Sequence, residues 1–258
     1  SNPHTLENLV DNKNYEFLQL DIANKKEIDN IFSEFSPNTV INFAAESHVD
    51  RSIDSPSIFI DTNINGTFNL LNASLKIFNE KKDFYKFIHI STDEVFGDLE
   101  ASDDPFTEDS NYVPSSPYSA SKASSDHLVR AWNRTFKLPT VITNCSNNYG
   151  PFQHPEKLIP KSIINAISGK KIPIYGNGSQ IRDWLHVNDH IEAILKVHSV
   201  GEIGESYNIG ASNEMQNITI IKKICGILDD LVLKKPKGVN KFSDLIEFIK
   251  DRPGHDQR

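Results

Sequence analysis

The stretch Thr39-Val-Ile-Asn-Phe-Ala44 decides the fold, because a β-branched and apolar run of this length is typical of a buried parallel strand. Immediately before it, residues 28–35 carry apolar side chains at positions i, i+3, i+4 and i+7, which is the spacing of one buried helix face. Pro37 ends that helix. Further upstream, residues 15–20 are predicted to form a strand that ends at Asp21.

The alternation of strand and helix continues downstream of this stretch. A long helix is predicted over residues 57–79, a strand over 84–91, a second long helix over 116–136 and a strand over 140–144. Strands separated by helices at this interval form a parallel sheet with right-handed crossovers. The sequence therefore predicts an α/β fold built on a doubly wound parallel sheet.

The pattern becomes less regular after Gly150. Helices are predicted over residues 156–168, 187–198 and 218–231, and short strands over 172–175 and 207–209. We therefore expect two domains, with the doubly wound sheet in residues 1–150 and a smaller α/β lobe in residues 151–258.

Composition limits the kind of protein this is. Hydrophobic residues make up 38% and charged residues 24% of the 258 residues, as in ordinary globular domains. The formal charge is 27 − 35 = −8, and such an acidic chain lacks the basic surface that nucleic-acid binding requires. No apolar run approaches the roughly 18 residues of a membrane span, and the first residues lack a signal-peptide pattern. We expect a cytoplasmic protein without nucleic-acid or membrane partners.

The cysteines and histidines show no metal-binding pattern. Cys145 and Cys225 are far apart in the sequence, which favours two reduced thiols. His186 and His190 are four residues apart, but the residue after His186 is a valine and not the glutamate of a zinc-protease helix. We therefore expect structural roles for both histidines and no metal.

Polar residues follow four successive predicted strands. Asp21, residues 44–48, residues 91–94 and residues 144–150 each stand where a strand ends. Ligands of a doubly wound sheet bind outside the carboxyl ends of its strands. Four consecutive polar strand ends therefore predict a shared ligand cleft.

Tyr118 and Lys122 are four residues apart on the second long helix, so their side chains share one face. A cation near the phenol lowers its pKa from about 10 toward neutrality, which makes Tyr118 a candidate base for an alcohol being oxidised. Lys122 could also hold the ribose hydroxyls of a nicotinamide cofactor. A solvated lysine one turn after a tyrosine remains the alternative interpretation.

Thr92-Asp93-Glu94 ends the strand over residues 84–91. Two close carboxyls in a cleft separate in pKa, so that one can act as an acid and the other as a base. Dehydration needs such a pair, because one group removes a carbon-bound proton and the other protonates the departing hydroxyl. Thr92 could hydrogen-bond the reacting oxygen. Solvated or helix-capping carboxylates remain the alternative.

Two further groups are candidates for ligand binding. The amide-rich loop over residues 144–150 could read a polar ligand or form an ordinary turn. Arg182, in Gln180-Ile-Arg-Asp-Trp184, and Arg252, in Asp251-Arg-Pro-Gly-His255, have the guanidinium geometry that suits phosphate. A surface ion pair is the alternative for each arginine.

Taken together, these motifs closely resemble the dTDP-glucose 4,6-dehydratase family of NAD-dependent extended short-chain dehydrogenases/reductases. The stretches that carry the resemblance are Ala44–Ser52, Ser91–Asp98, Pro114–Arg130, Asn144–Pro151, Pro155–Pro160, Gln180–Trp184 and Asp251–His255. The resemblance runs along essentially the whole chain. It implies a Rossmann-like NAD-binding domain, a sugar-nucleotide-binding lobe and a hydro-lyase activity.

The resemblance also implies binding roles for individual residues. Asp21 and Ile22 would contact the adenine of NAD. The rest of the NAD site would be formed by Ala44, Ala45, Ser47, Thr62, Tyr118, Lys122 and Asn148. The nucleotide-sugar would be bound by Ser47, Thr92, Asn147, Lys157, Leu158, Pro173, Tyr175, Arg182, Asn217, Arg252 and His255.

The reaction that the resemblance implies converts dTDP-glucose to dTDP-4-dehydro-6-deoxyglucose and water. Tyr118, supported by Lys122 and Thr92, would take the proton of the 4-hydroxyl while NAD accepts hydride from C4. Glu94 would then remove the C5 proton, Asp93 would protonate the departing C6 hydroxyl, and hydride would return to C6. Helices 57–79 and 116–136 would form a homodimer interface.

The sequence departs from the family pattern in one respect. The glycine-rich turn G-x-x-G-x-x-G, whose amides bind the NAD pyrophosphate, does not occur. The sequence starts where the family is past its second strand and ends before the family's last helices, so we expect it to be part of a longer protein.

Two alternatives remain open. A nucleotide-sugar 4-epimerase or decarboxylase would share Tyr118 and Lys122 but would not need the Asp93-Glu94 pair. A non-catalytic sugar-nucleotide-binding protein would explain the missing turn, although it would not need the five catalytic candidates.

Overall fold

The computed structural model describes residues 3–81, 83–100 and 102–258. The strands are β1 (Thr39–Asn42), β2 (Lys86–Thr92), β3 (Thr140–Cys145), β4 (Asn147–Tyr149), β5 (Ile172–Tyr175), β6 (Ile181–His186), β7 (Ser206–Ile209), β8 (Glu214–Gln216) and β9 (Ile246–Ile249). The α-helices are α1 (Lys25–Phe35), α2 (Val49–Asp54), α3 (Pro56–Phe59), α4 (Thr67–Glu80), α5 (Pro117–Phe136), α6 (Leu158–Ile167), α7 (Val187–Val200) and α8 (Asn217–Leu231). Short 3-10 helices cover Pro3–Leu9, Asp93–Val95 and Phe242–Leu245.

The largest sheet is parallel throughout and has the strand order β1-β2-β3-β7. Every residue of β2 is buried, because β2 has strands on both sides and helices on both faces. Phe87 packs with α1, α4 and α5 on one face, whereas Ile88 and Ile90 pack with α7 on the other. Helices on both faces of a parallel sheet confirm the predicted doubly wound α/β fold.

All of the predicted helices form, and their ends have local causes. Helix α1 begins after Asn24, whose side chain accepts a hydrogen bond from the Glu27 N–H, and it ends at Ser36 in the left-handed region just before Pro37. Helix α5 begins at Pro117 behind a capping box formed by Ser116 and Ser119. The sharp start of α5 places Tyr118 in its first turn.

The helix predicted over residues 57–79 is present but is not uniform. Helix α3 leads into a π-helical segment, Ile60–Gly66, and then into α4. A π-helical segment is a local widening of the helix that is frequently found at functional sites. Asn63 of this segment accepts a hydrogen bond from the Glu46 N–H at 2.8 Å and donates to the Glu46 carbonyl at 3.0 Å. The segment thereby holds the loop that follows β1.

The smaller lobe contains a three-stranded sheet β4-β6-β8 and a parallel pair β5-β9. Its core lies between α6, α8 and β5, around Ile172, Ile174 and Ile221. The chain returns to the large sheet through α7 and β7. The division into residues 1–150 and 151–258 stays a prediction, and it does not coincide with the division between sheets, because β7 follows residue 150.

One predicted strand is wrong. Residues 15–20 are not paired in any sheet among the described residues. Phe17 and Leu18 are 53% and 47% exposed. A β-strand needs a neighbour for its backbone hydrogen bonds, and within the described part of the chain the large sheet ends at β1. The apolar pattern of this segment is therefore present without the pairing that would make it a strand.

The apolar pattern did not predict strands β4, β6, β8 and β9, because each is short or mixes apolar with polar residues. Among the described residues, no helix combines the length and the hydropathy of a membrane span.

Candidate active site

A cavity of about 540 Å³ lies at the carboxyl ends of the large sheet, where the two lobes meet. Its lining includes Asp93, Glu94, Asn147 and Arg182. Asp93 and Glu94 follow β2 directly, and Asn147 begins β4 after the end of β3. The rule that ligands bind at the carboxyl ends of parallel strands thus predicted the place of this cavity from the sequence.

The Tyr118 side chain is buried beside the two carboxyls. Burial raises the pKa of its phenol well above 10, and the charges of Glu94 and Cys145 raise it further, whereas a hydrogen bond with Thr92 acts in the opposite direction. The Phe59 ring packs edge-on against the Tyr118 ring, with the centroids 6.3 Å apart. The phenol of the protein alone therefore keeps its proton at neutral pH.

The predicted net lowering of the Tyr118 pKa toward neutrality does not occur in the protein alone. The Lys122 ammonium donates to the Ile90 carbonyl at 2.8 Å and lies 3.4 Å from His89 Nε2. The ammonium is therefore bound to the backbone of β2. Burial and the charges of the nearby carboxyls have the larger effects on the pKa of the phenol, and both raise it. The shared helix face was predicted correctly, but the direction of the ammonium was not.

Asp93 and Glu94 are the acidic pair of the cavity, and both are half-buried. Burial raises the pKa of Asp93 to about 7, with a further contribution from the charge of Glu94. Burial also raises the pKa of Glu94, although the positive charges of Arg182 and Arg252 oppose this effect. Asp93 can therefore hold a proton close to neutral pH, which is what a general acid requires.

Thr92 connects the two carboxyls to the end of β2. Its hydroxyl lies 3.3 Å from Asp93 Oδ1 and accepts a hydrogen bond from the Glu94 N–H at 3.3 Å. This arrangement begins the 3-10 helix Asp93–Val95 and turns both carboxyls out of the sheet. Thr92, Asp93, Glu94, Tyr118 and Lys122, the five predicted catalytic residues, thus lie together.

Three cations surround the carboxyl pair from the side of the smaller lobe. Arg182, Arg252 and Lys157 all lower the pKa of Glu94 through their charges. Lys157 Nζ donates to the Ser47 carbonyl at 2.9 Å, and Arg182 Nη2 donates to the Asp256 carbonyl at 2.8 Å. Of the three, Arg182 lines the cavity, and guanidinium and ammonium groups are the kinds of group that suit a phosphate-bearing ligand.

Asp50, on α2, is a residue of this region that the sequence reasoning missed. Its carboxylate accepts from the Tyr175 hydroxyl at 2.9 Å and from Arg252 Nη1 at 3.1 Å. Tyr175 in turn packs against the His255 ring, with the centroids 5.9 Å apart. Asp50 thereby fixes the positions of Tyr175 and Arg252. Its place within the motif Ala44–Ser52 is the one signal in the sequence that could have identified it.

Other predicted nucleotide-binding residues lie around this region but outside the lining of the cavity. Leu158 is the first residue of α6 and packs on the core of the smaller lobe. Pro173 lies in β5, opposite Glu247 of β9. The Asn217 N–H, at the start of α8, donates to the Gln180 carbonyl at 2.9 Å.

Several of the residues predicted to bind the cofactor lie just before or just after β1, which is the edge strand of the large sheet. Asp21 Oδ1 accepts from the Ala23 N–H at 2.9 Å, and the Asn69 amide donates to the Ile22 carbonyl at 3.0 Å. A Cβ on Gly66 would lie 2.6 Å from Ile22, so glycine at that position allows the loop to approach the π-helical segment closely.

The other residues predicted to bind the cofactor differ in their exposure and in the contacts that they make within the protein. Ala44 and Ser47 are exposed, whereas Ala45 and Thr62 are half-buried. The Asn148 side chain is turned toward His190, whose Nδ1 is 2.8 Å from Asn148 Oδ1. Asn148 therefore contacts a neighbouring helix in addition to its predicted role.

A parallel sheet that carries a Tyr-x-x-x-Lys helix and a Thr-Asp-Glu strand end at its carboxyl edge defines a short-chain dehydrogenase/reductase. The chain belongs to the family described as GDP-mannose 4,6 dehydratase, whose model matches residues 1–258.

Individual relatives agree with this family. The chain is 56% identical to dTDP-glucose 4,6-dehydratase of Neisseria meningitidis serogroup B over 261 residues, which cover 100% of this chain and 74% of the relative. It is 54% identical to dTDP-glucose 4,6-dehydratase of Escherichia coli, again covering 100% of this chain and 74% of the relative. These relatives confirm the resemblance that the motifs indicate.

Two solved structures are informative. A dTDP-glucose 4,6-dehydratase from Streptomyces venezuelae with NAD and TYD bound has a TM-score of 0.89 and 37% identity, covering 100% of this chain and 74% of that chain. UDP-glucuronic acid 4-epimerase from Bacillus cereus, in complex with UDP-glucuronic acid and NAD, has a TM-score of 0.85 and 28% identity, covering 99% of this chain and 75% of that chain.

Proposed function

We propose that this protein is a hydro-lyase that converts dTDP-glucose to dTDP-4-dehydro-6-deoxyglucose with NAD as its cofactor. The observation that carries the proposal is the Asp93-Glu94 pair beside Tyr118, with the pKa of both carboxyls raised by burial. Relatives that are 50–56% identical over the whole chain carry the name of this activity. A 4-epimerase would need Tyr118 but would have no use for a second acid and base in the cavity.

The cofactor is assigned to the edge of the sheet beside the carboxyl pair. NAD supplies the hydride acceptor for C4 and the hydride donor for C6. Ala44, Ala45 and Ser47 carry small side chains just after β1, and Thr62 belongs to the π-helical segment whose Asn63 holds this loop. Asp21 and Ile22 are proposed to contact the adenine, and Asn148 the opposite end of the cofactor.

Each proton transfer is assigned to a different residue of the protein. Tyr118 receives the proton of the 4-hydroxyl as a phenolate, a form that burial disfavours in the protein alone and that the positive charge of the oxidised nicotinamide would favour. Thr92 hydrogen-bonds the reacting oxygen. Glu94 removes the proton at C5, which the neighbouring carbonyl acidifies. Asp93, whose pKa is raised to about 7, donates a proton to the hydroxyl that leaves C6 as water. Lys122 supports Tyr118 from the adjoining turn of α5.

The nucleotide diphosphate is assigned to the cationic side of the cavity. Arg182, Arg252 and Lys157 offset its negative charge, and Tyr175 and His255 provide ring surfaces beside it. Further contacts are assigned to Asn147, Leu158, Pro173 and Asn217. Arg182 and Asn147 line the cavity, whereas Leu158, Pro173 and Asn217 do not, so we expect smaller effects from substituting these three than from substituting Arg182.

The test is to incubate the protein with NAD and dTDP-glucose and to follow the alkali-induced absorbance of the 4-keto-6-deoxy product. We expect product from the wild type and at least about 10²-fold less from Glu94→Gln, because loss of a general base costs this much. Glu192→Gln is the matched control, since Glu192 is exposed on α7 and does not line the cavity. Full activity of Glu94→Gln would contradict the role of this carboxyl.

The same assay separates the alternatives. Absence of product while NAD still binds would favour a nucleotide-sugar 4-epimerase or decarboxylase, for which the likeness to UDP-glucuronic acid 4-epimerase is the supporting observation. Absence of both product and NAD binding would favour a non-catalytic sugar-nucleotide-binding protein.

We further propose that the protein forms a homodimer through the helical run 57–79 and helix 116–136. Phe68 and Phe136 are 39% and 46% exposed, and both pack edge-on against Trp132. An exposed aromatic cluster of this kind is typical of a protein interface. Phe136→Glu is expected to give monomers in light scattering, whereas Phe248→Glu, at another exposed apolar position, leaves the dimer intact.

Cytoplasmic location and the lack of nucleic-acid and membrane partners stay predictions.

A further inference from the structure

A buried layer of ionisable groups lies directly beneath the active site. His89 on β2 and Asp126 on α5 are completely buried, and Lys122 is 3% exposed. Burying a charge away from water is costly unless a partner of opposite charge compensates it. The arrangement of this layer therefore decides whether Lys122 can remain an ammonium.

The proton of His89 can be placed from its neighbours. Asn42 Oδ1 accepts from the Ala44 N–H at 3.1 Å, which fixes the orientation of the Asn42 amide. The Asn42 Nδ2 group then faces His89 Nδ1 at 3.2 Å as a donor. His89 Nδ1 is therefore the acceptor, and the ring proton is on Nε2.

This tautomer means that His89 cannot compensate the charge of Lys122. His89 Nε2 lies 3.1 Å from Ser125 Oγ, 3.4 Å from Asp126 Oδ1 and 3.4 Å from Lys122 Nζ. An N–H donor cannot accept a hydrogen bond from an ammonium, so the Nε2 proton is directed to Ser125 or Asp126. Burial lowers the pKa of His89 to about 4, so the ring is also uncharged.

The Asp126 carboxylate is held in place by hydrogen bonds from three donors. Its Oδ2 accepts from the Ser91 hydroxyl at 2.8 Å, from the Tyr112 hydroxyl at 2.9 Å and from the Asn144 amide at 3.3 Å. The Asn144 amide also donates to the Thr92 carbonyl at 3.1 Å. The carboxylate thus connects α5 to the ends of β2 and β3, one residue before the catalytic candidates.

The other ionisable groups around Lys122 do not replace this carboxylate. His89 on β2 is neutral, and burial raises the pKa of Cys145 on β3 to about 12, so the thiol is neutral as well. Tyr118 on α5 keeps its proton. Burial lowers the pKa of Lys122, and the charge of Asp126 is the largest effect that opposes this.

We propose that Asp126 is a positioning residue whose buried carboxylate is the counter-charge that keeps Lys122 an ammonium bound to the Ile90 carbonyl. Asp126 is one turn further along α5 than Lys122, and Lys122 is one turn further than Tyr118. The link to catalysis rests on the proposed function, but the pairing of charges does not.

The pairing is tested by the thermal stability of four forms of the protein: the wild type, Asp126→Asn, Lys122→Met and the double variant. Asparagine keeps an oxygen acceptor for Ser91 and Tyr112, so Asp126→Asn removes chiefly the charge. We expect it to lower Tm by roughly 10 °C, because it leaves a buried ammonium unpaired. The double variant is expected to recover at least half of that loss, since it contains neither charge.

Each result of this cycle decides the proposal. A double variant no more stable than Asp126→Asn would overturn it, because the carboxylate would then act only as a hydrogen-bond acceptor. An unchanged Tm for Asp126→Asn would overturn it as well. If Asp126→Asn does not fold, folding of the double variant supports the proposal and its failure to fold contradicts it. Asp230→Asn, at an exposed position on α8, is the matched control.

A second measurement tests the positioning role in the NAD-loaded enzyme. In Asp126→Asn the ammonium of Lys122 is expected to lose its proton at a lower pH, so the alkaline fall of kcat should move down by at least about one pH unit. A lower kcat with an unchanged pH profile would mean a merely structural role. If the wild type does not act on dTDP-glucose, the proposed function fails, and the stability cycle still decides the charge pairing.

Discussion

The inner part of the active site is Asp93 and Glu94 beside Tyr118, and the outer part is Asp50 with Tyr175 and Arg252. Each part contains an aspartate, and the pKa values of the two aspartates are shifted in opposite directions. In the inner part, burial raises the pKa of Asp93 to about 7. In the outer part, burial would also raise the pKa of Asp50, but hydrogen bonds from Tyr175 and Arg252 outweigh it and lower the pKa. At neutral pH Asp93 can therefore hold and donate a proton, whereas Asp50 is an anion.

The difference shows how the local partners assign roles to carboxyl groups. Asp93 has another carboxyl, Glu94, beside it, so ionisation of one disfavours ionisation of the other. Asp50 has a guanidinium and a phenol, which stabilise its charge and are themselves held in place. The inner carboxyls should thus control kcat, whereas the outer one should control substrate affinity.

The strongest test of this comparison is Asp93→Asn. Removing the acid that protonates the leaving hydroxyl is expected to lower kcat by about 10²–10³-fold while KM changes little. Steady-state kinetics of 4-keto product formation measure both quantities. Asp109→Asn, at an exposed loop position, is the control and should behave as the wild type. An effect of Asp93→Asn on KM alone would remove the distinction between the inner and outer regions.

Arg252→Lys tests the outer region. Lysine keeps the positive charge but loses the planar guanidinium that contacts Asp50. We expect KM for dTDP-glucose to rise about tenfold, which corresponds to about 1.4 kcal/mol of binding free energy, while kcat stays within about threefold. Arg134→Lys, on the exposed face of α5, serves as the control. A loss of kcat as large as that of Asp93→Asn would show that the outer cation takes part in the chemistry.

Asp50→Asn should have a smaller effect in the same direction. The variant keeps a hydrogen-bonding side chain but no longer fixes Arg252 by charge, so we expect KM to rise about threefold, or about 0.7 kcal/mol. Asp54→Asn, in the same short helix but exposed, is the matched control. A lower KM would mean that Asp50 competes with the substrate phosphates for Arg252 instead of positioning it.

The last prediction concerns the dependence of folding stability on pH and not the kinetics. The pKa of Asp93 is raised in the folded state, so its contribution to stability is complete below about pH 3.8 and is lost as the pH rises to about 7. Asp93→Asn removes this loss and should stabilise the protein by about 2 kcal/mol at pH 8, a value discounted for partial solvent exposure. Thermal unfolding at pH 5 and pH 8 measures it. A stabilisation that is greater at pH 5 would contradict the raised pKa.

The regular elements of the fold could be predicted from the sequence because their patterns are local. Residues 39–44 and 140–144 are rich in β-branched side chains, and residues 116–136 repeat apolar side chains with helical spacing. The error at residues 15–20 has a different cause. An apolar pattern states which side chains can be buried, but a strand also needs a neighbouring backbone, and the described structure has none beside this segment.

The site was predicted in part for the same reason. Motif spacing identified Tyr118, Lys122 and the Asp93-Glu94 pair, because the ends of parallel strands meet at one edge of a sheet. The spacing could not show that the Lys122 ammonium turns toward the Ile90 carbonyl, or that Asp50 reaches Arg252 across 202 positions of the sequence. Such contacts depend on side-chain directions and on elements that are distant in the chain.

The sequence by itself determined the main helices and the strands β1, β2, β3, β5 and β7, the family and the chemical groups available for catalysis. It did so because hydrophobic periodicity and motif spacing are properties of neighbouring residues. Only the tertiary structure decided the protonation of these groups. Burial and neighbouring charges raise the pKa of Asp93 and lower that of Asp50, and the charge of Asp126 opposes the lowering of the Lys122 pKa by burial. Electrostatic energies depend on distances in space, and these are set by packing and not by position in the chain.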